Sequence, residues 1–170
     1  MKVFLEGLLP RLFPGLPFLC VAHEGKSDLE KSIPRKLRGW REPGARFLVL
    51  RDTDGADCRA LKNRLTALCQ GSGGVNPLIR LACQELEAWY FGAPGALSTA
   101  YGKPDLATLH TRSRYRDPDA ISRPSDELAK ILPEFQKVSC ARKMGVIVDR
   151  DNRSRSFQVR LQAVERHLAS

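Results

Sequence analysis

Asp52 and Asp54 are the residues of this sequence best placed to do chemistry. They follow the run 46–51 (RFLVLR), whose short, continuous apolar character is typical of a buried parallel strand. Residues two apart on a strand point to the same face, so we expect the two carboxylates to lie together. Neighbouring carboxylates repel each other and favour a hard cation such as Mg²⁺ that neutralises both. The alternative is that both are turn residues, with Asp57 capping the next helix.

Glu85 and Glu87 repeat this spacing after a second apolar run, 78–83. If the strand extends that far, the two side chains share a face. If a helix has already begun, they diverge by about 200° and only one can join the aspartates. The alternative is a solvated first helical turn, where acidic residues suit the helix dipole. Three aromatic residues, Trp89 to Phe91, follow shortly after. We expect them to anchor the apolar core rather than to stack on bases.

Two acidic pairs after neighbouring strands predict a magnesium or manganese site, because parallel strands end at the same edge of a sheet. Two ions there could stabilise both the attacking and the leaving oxygen of a phosphodiester. A net charge of +9, from 28 basic and 19 acidic residues, favours a polyanionic partner such as nucleic acid. The alternative is a basic surface that serves solubility alone.

Phosphate-binding side chains are dense in two late segments, 115–119 (YRDPD) and 152–156 (NRSRS). The alternative for each is a solvated surface or a structural ion pair. Lys143, in the predicted helix 139–148, could also offset negative charge near the acidic cluster. The candidate nucleic-acid contacts are Lys26, Arg116, Lys143, Arg153 and Arg155.

Several other chemistries are disfavoured by the composition. The three histidines are far apart and adjoin no plausible nucleophile. The five cysteines are odd in number and never form a CxxC pair, so we expect free thiols in a reducing cytoplasm rather than zinc or disulfides. No run of about 18 apolar residues predicts a membrane span, and the start of the chain does not resemble a signal peptide.

The expected fold is a single α/β domain of 170 residues, with a mostly parallel sheet flanked by helices. Residues 1–92 predict the βα core and residues 93–170 a helical extension packed on it. Predicted strands cover 18–22, 46–51 and 78–83. Predicted helices cover 3–12, 27–37, 58–70, 95–101, 126–132, 139–148 and 157–168. Ser27 or Asp28 is expected to cap the second helix, and Pro34 to bend or break it.

Four stretches of the chain together resemble a known family: VLRDTDGADCRALKNRL, IRLACQELEAWYFG, YRDPDAI and NRSRSFQV. They are similar to the Toprim-like family catalogued as Domain of Unknown Function 4276, and the resemblance covers nearly the whole chain. LEAW and NRSRSFQV are its specific parts. The resemblance implies that Asp52 and Asp54 are the Toprim DxD pair and that Glu85 and Glu87 are its second acidic pair. It also implies kinship with Toprim nucleases that accompany ABC-type ATPases in bacterial anti-phage systems.

The chain departs from that pattern at its beginning. Toprim sites use a glutamate after a first strand, but VFLEGLLPRLFPG matches the helix that follows that strand, so the strand itself is not found. Glu6 imitates the motif only by its letters. Glu24, which follows the predicted strand 18–22, is the substitute candidate. A missing first strand would leave an open sheet edge, which a partner chain could cover.

The first expectation from the sequence is therefore a nuclease that depends on Mg²⁺ or Mn²⁺. Asp52, Asp54 and Glu85 would hold the metal, and Glu87 would be a further ligand or a base. The alternative is a degenerate, non-catalytic module of the same fold that binds nucleic acid or a partner ATPase.

Overall fold

The structure is a computed structural model that describes residues 1–71, 78–82 and 84–169, with side chains described as far as Arg166. Eight α-helices and two β-strands lie in these ranges. The strands are β1 (Leu48–Asp52) and β2 (Leu78–Ala82). The helices are α1 (Lys2–Leu12), α2 (Lys26–Gly39), α3 (Cys58–Gln70), α4 (Ala88–Gly92), α5 (Pro94–Tyr101), α6 (Pro124–Ile131), α7 (Lys137–Gly145) and α8 (Arg155–Ala169). Short 3₁₀ turns cover Pro104–Thr111, Ser113–Tyr115 and Pro118–Ala120.

β1 and β2 form a parallel pair in which Leu48 lies opposite Leu78 and Asp52 lies opposite Ala82. Helix α3 connects the two strands, which makes a βαβ unit. The side chain of Asp57 caps α3 by accepting a hydrogen bond from the Ala60 amide at 2.6 Å, which is the role that the alternative interpretation of this acidic segment gives it. The prediction of a mixed α/β fold with a parallel sheet flanked by helices is confirmed.

The sheet separates two apolar cores, because successive strand side chains point to opposite faces. Val49 and Ile79 pack against α2 and α3 in the smaller core. Leu50 and Ala82 face the larger core, which is built around Phe4 of α1, Trp89 of α4 and Phe157 of α8. The chain beyond residue 92 contributes its helices α5 to α8 to this larger core.

Helix α1 crosses α7 at two glycines that allow close backbone contact. A β-carbon on Gly145 would lie 2.6 Å from the Phe4 carbonyl oxygen, and one on Gly7 would lie 2.9 Å from the Gly145 carbonyl carbon. The guanidinium of Arg11 donates to the Val148 carbonyl oxygen at 2.9 Å and secures the same crossing. α1 therefore lies on the larger core through backbone contact as well as through apolar side chains.

Two local predictions about the first 40 residues are wrong. Residues 18–22 form no strand, although they are apolar enough to be one. Helix α2 begins at Lys26 after Gly25, whose φ of 93° suits glycine, so neither Ser27 nor Asp28 is the N-cap. Asp28 instead lies in the first turn and accepts a hydrogen bond from the Glu24 amide at 3.1 Å.

Pro34 does not break α2, which continues through it to Gly39. The glycine-rich stretch 71–74 (GSGG) predicts a loop after α3, and Gly71 caps that helix. Residues 72–74 of this predicted loop and Cys83 of the third predicted strand lie outside the described residues.

Asn152 connects the two segments that carry the specific family motifs. Its side-chain amide donates to the Trp89 carbonyl oxygen at 2.8 Å, and its Oδ1 accepts from the Ser154 amide at 2.9 Å. The Arg153 amide donates to the Gly92 carbonyl oxygen at 2.8 Å. Segment 152–156 is therefore bound to α4 by its backbone and by a buried amide.

Asp119 and two serines extend this connection. Asp119 accepts from the hydroxyls of Ser154 and Ser156 at 2.7 and 2.8 Å and from the Ser156 amide at 2.9 Å. Ser156 Oγ also accepts from the Trp89 indole at 2.9 Å. The NRSRS segment suggests phosphate binding in the sequence, but three of its polar residues have hydrogen-bond partners inside the fold. These are Asn152, Ser154 and Ser156.

Gly92 gives a direct test of this packing. A β-carbon there would lie 2.0 Å from Asn152 Oδ1 and 2.9 Å from the Ser154 amide nitrogen. We expect Gly92→Ala to displace Asn152 and lower the free energy of unfolding by about 3 kcal/mol, from overpacking and lost buried hydrogen bonds. Urea unfolding measures this change. Gly95→Ala is the matched control, because nothing lies within 4 Å of its added methyl group. It should leave stability unchanged or raise it by up to ~1 kcal/mol.

Candidate functional site

The loops that follow β1 and β2 are cross-linked to each other. The Thr53 amide donates to the Ala82 carbonyl oxygen at 3.0 Å, and the Asp54 amide donates to the Gln84 carbonyl oxygen at 2.8 Å. In return the Gln84 amide donates to Thr53 Oγ1 at 2.8 Å. Asp54 and Gln84 both have positive φ, 47° and 59°, which is uncommon for residues other than glycine. These contacts bring both acidic pairs to the carboxyl edge of the sheet.

Asp52 ends β1, and its carboxylate is poorly compensated. Oδ1 is buried and has no hydrogen-bond partner among the described residues. Burial, followed by the charge of Asp54, raises the pKa of Asp52 from about 3.8 to about 6. Arg160 and the N-terminal amine oppose this rise in pKa, and Glu85 adds to it. The Arg160 guanidinium itself lies 4.1 Å from the centre of the Trp89 ring.

Asp54 lies at the surface, where its Oδ2 is 2.7 Å from the Lys26 ammonium nitrogen. Lys26 is half-exposed, and an ion pair of this kind contributes at most ~1 kcal/mol. The sequence predicts Lys26 as a phosphate contact, and the structure places it against the acidic pair. Such a weak pair leaves Asp54 able to exchange its lysine partner for a cation.

Glu85 is held by the beginning of α6. Its Oε2 accepts hydrogen bonds from the Ser125 amide at 2.9 Å and from the Ser125 hydroxyl at 2.7 Å. Its Oε1 lies 3.4 Å from the Lys137 ammonium nitrogen. Burial alone would raise the pKa of Glu85, but the Ser125 hydrogen bonds and the Lys137 charge lower it below its ordinary value. Glu85 therefore stays ionised and already has partners.

Glu87 directly precedes α4 and is only 5% exposed. Burial raises its pKa, and the negative charges of Glu85 and Asp52 add to this effect against Lys137. Because β2 ends at Ala82, Glu85 and Glu87 do not share the face of a strand. The two glutamates nevertheless lie within electrostatic range of Asp52.

Lys137 is the residue of this site that no sequence motif marks. It is the first residue of α7, where a positive charge opposes the helix dipole. Burial lowers its pKa, but the carboxylates of Glu87 and Glu85 outweigh burial and raise it overall. A lysine at the beginning of a helix is a weak signal in the sequence that an acidic side chain elsewhere in the fold compensates its charge.

Two of the remaining predicted nucleic-acid contacts, Arg153 and Lys143, contact residues other than the acidic pairs. Arg153 donates to the Arg116 carbonyl oxygen at 3.1 Å, and the Lys143 ammonium lies 4.4 Å from the centre of the Tyr101 ring. Arg155 begins α8 and is exposed. Glu24, the substitute for a first-strand glutamate, is exposed and follows no strand. The strand end that the sequence predicts before Glu24 is therefore not formed.

The donors at this edge fit a hard cation in part. Mg²⁺ requires only one or two carboxylates, because water and substrate oxygens supply the other ligands. Asp52, with its buried oxygen, and the neighbouring Asp54 meet that requirement. Among the described residues, no three carboxylate, histidine or cysteine side chains already stand at metal-binding distance. Glu85 is engaged by Ser125 and Lys137, so its oxygens are not free for a metal in this arrangement.

The family model described as a domain of unknown function, DUF4276, matches residues 1–165. The chain belongs to the DUF4276 family. Comparisons with curated proteins and with solved structures find no match. In this DUF4276 chain, no helix of the described residues has both the length and the apolar character needed to cross a membrane. Its acidic edge is formed by segments that lie well inside the matched range.

The pKa of Asp52 predicts a specific pH dependence of stability. Between about pH 4 and pH 6, the folded chain keeps the Asp52 proton that the unfolded chain releases. The Asp52 contribution is therefore present at low pH and is lost as the pH rises through about 6. We expect Asp52→Asn to gain stability relative to the wild type across this interval, as measured by urea unfolding at each pH without metal. A difference between the two proteins that is constant from pH 4 to pH 7 would contradict this pKa.

Proposed function

We propose that this chain is a divalent-metal-dependent phosphodiesterase that cuts nucleic acid, of the Toprim type that its sequence resembles. The observation that carries the proposal is the buried Oδ1 of Asp52 beside Asp54, which has no hydrogen-bond partner in the described part of the chain. A folded chain that buries an uncompensated acidic oxygen loses stability unless a ligand compensates it. A cation recruited by phosphate is the ligand that best suits both the acidic pair and the basic chain.

In this proposal Asp52 and Asp54 hold Mg²⁺ or Mn²⁺, and Glu85 is a third ligand only if it leaves Lys137. The bound metal would supply an activated water and stabilise charge on the phosphodiester. Lys137 is well placed to neutralise a phosphate oxygen, since Glu85 and Glu87 keep it protonated. Glu87 is the candidate base, because burial raises its pKa and so strengthens it as a proton acceptor.

The rest of the chain suits a polyanionic substrate. The net charge of +9 attracts nucleic acid over a distance, and counterion release strengthens the binding. Lys26, Arg116, Lys143, Arg153 and Arg155 are proposed as phosphate contacts that position the backbone. By the same resemblance, the setting is a cytoplasmic anti-phage system in which an ABC-type ATPase is the partner.

A second candidate is a non-catalytic module that binds nucleic acid or the ATPase. Two ion pairs favour it: Lys26 already pairs with Asp54, and Lys137 and Ser125 already satisfy Glu85. If the acidic cluster is purely structural, nucleic acid binds elsewhere on the basic surface. Binding would then be salt-sensitive and would survive the loss of Asp52.

Metal binding and cleavage distinguish these candidates. We expect the wild type to bind Mn²⁺ in calorimetry and to cut DNA or RNA only with Mg²⁺ or Mn²⁺. Asp52→Asn and Asp54→Asn should each weaken metal binding at least tenfold and remove cleavage, because each deletes one of two anionic ligands. Asp52→Asn also removes a destabilising buried charge, so its loss of function cannot be attributed to unfolding.

Asp151→Asn is the matched control, since it removes an exposed carboxylate distant in sequence from the acidic cluster. It should bind metal and cut as the wild type does. Nucleic-acid binding that persists in Asp52→Asn, with no cleavage in any variant, would establish the binding module in place of the enzyme.

A further inference from the structure

The solvent-facing side of α2 carries three exposed basic residues, Lys31, Arg35 and Arg38. Arg35 lies about 200° around the helix from Ile33, which is buried in the smaller core together with Leu37. The three basic residues follow each other at spacings of four and three positions, so they form one continuous stripe along the helix. This stripe is called the basic face of α2 below.

No acidic side chain neutralises the basic face in the part of the chain that the structure describes, since none of its three residues forms an ion pair there. The two acidic residues of α2 have other partners. Glu30 accepts hydrogen bonds from the guanidinium groups of Arg51 and Arg64. Asp28 accepts from the Glu24 amide. Like charges three and four positions apart on a helix repel each other, so the basic face is stabilised by an anionic ligand.

Helix α2 also connects the basic face to the acidic edge of the sheet. Its first residue is Lys26, whose ammonium nitrogen lies 2.7 Å from Asp54 Oδ2. At a rise of ~1.5 Å per residue, Lys31 is roughly 8 Å and Arg38 roughly 18 Å farther along the helix axis than Lys26. Phosphates of one DNA strand follow each other at ~3.4 Å along the duplex axis, so the ~10 Å from Lys31 to Arg38 spans about three of them.

The composition of α2 favours a duplex over a single strand. Proteins that bind single strands stack the bases on aromatic side chains, whereas a duplex presents its phosphates to the protein. Helix α2, KSDLEKSIPRKLRG, contains no aromatic residue. Trp40, which directly follows it, is only partly exposed and packs edge-on against Phe47. The basic face therefore offers phosphate contacts without a surface on which unpaired bases could stack.

We propose that the basic face of α2 binds the phosphate backbone of a nucleic-acid duplex and holds it beside the acidic edge. Guanidinium and ammonium groups donate charge-assisted hydrogen bonds to phosphate oxygens, and such contacts fix the position of a duplex without reading its sequence. Because α2 begins at Lys26, a strand bound along the helix continues toward Asp54. The docking is a property of α2 alone, but its purpose, to present a phosphodiester to a metal, rests on the proposed function.

Fluorescence anisotropy with a labelled DNA duplex, in EDTA so that nothing is cut, measures this docking. The test variant is Arg35→Gln/Arg38→Gln. Arg59→Gln/Lys62→Gln is the matched control, because it removes the same amount of charge from exposed residues of α3. Lys62 points away from α2, since Arg64, which bonds to α2, lies about 200° around α3 from it.

We expect the test variant to bind the duplex at least tenfold more weakly than the wild type at physiological salt, and the control to bind at most threefold more weakly. Each lost phosphate contact also lowers the salt dependence, so the slope of log affinity against log salt should fall in magnitude by about 2 in the test variant. The wild type should bind the duplex more tightly than either of its single strands. Glutamine is a good helix former, so circular dichroism should show the same helix content in all three proteins.

Equal losses in the two double variants would overturn the proposal, because the net charge rather than the basic face would then give the affinity. A wild type that prefers single strands would overturn it as well. So would a test variant that loses binding to vesicles of phosphatidylserine and phosphatidylcholine but keeps its binding to the duplex.

Failure of the proposed function gives a different result. Cleavage that is absent from every protein, with duplex binding that still depends on Arg35 and Arg38, would remove the nuclease and support the docking surface. Metal-dependent cleavage with duplex binding that is the same in the test variant as in the wild type would support the nuclease and remove the docking surface.

Discussion

The burial of the Asp52 carboxylate beside Asp54 is the constraint on which the acidic edge of this protein depends. Desolvation raises the pKa of Asp52 to about 6, so near neutral pH the fold holds a charge it does not compensate well. The hydrogen bonds that join Thr53 and Asp54 to Ala82 and Gln84 hold that charge in position, at the cost of positive φ at Asp54 and Gln84. This poorly compensated charge is the feature on which the proposed metal site rests.

The C-terminal half supports this edge from two directions. Ser125 and Lys137 hold Glu85 in its ionised form, and they come from α6 and α7 of the helical extension. The side chain of Asn152 donates a hydrogen bond to the backbone of α4, the helix that begins directly after Glu87. The motifs LEAW and NRSRSFQV therefore specify each other structurally. The side chains of Asn152, Ser154 and Ser156 thus have their hydrogen-bond partners inside the fold.

Much of the fold could be predicted from the sequence because its strong signals are local. The apolar run before Asp52 and the periodicity of α3 and α8 gave the correct elements. Segment 18–22 has the same local signal but no strand to pair with, and pairing is a tertiary property that composition cannot supply. Lys137 could not be predicted for the same reason, since its partner Glu85 is 52 positions away and only the packing of α7 brings them together. The predicted position of Glu24 at a strand end depended on the same strand at 18–22, which does not form.

The location of a bound Mn²⁺ ion tests the central claim most directly, namely that the buried charge at Asp52 exists to hold a cation. Paramagnetic broadening in NMR spectra reports which amides lie near the ion. If Asp52 holds a cation, low Mn²⁺ concentrations first broaden the amide signals of Thr53, Asp54 and Glu85, and Asp52→Asn removes this broadening. Broadening that instead centres on the exposed Asp149 and Asp151, or that is unchanged in Asp52→Asn, would contradict it.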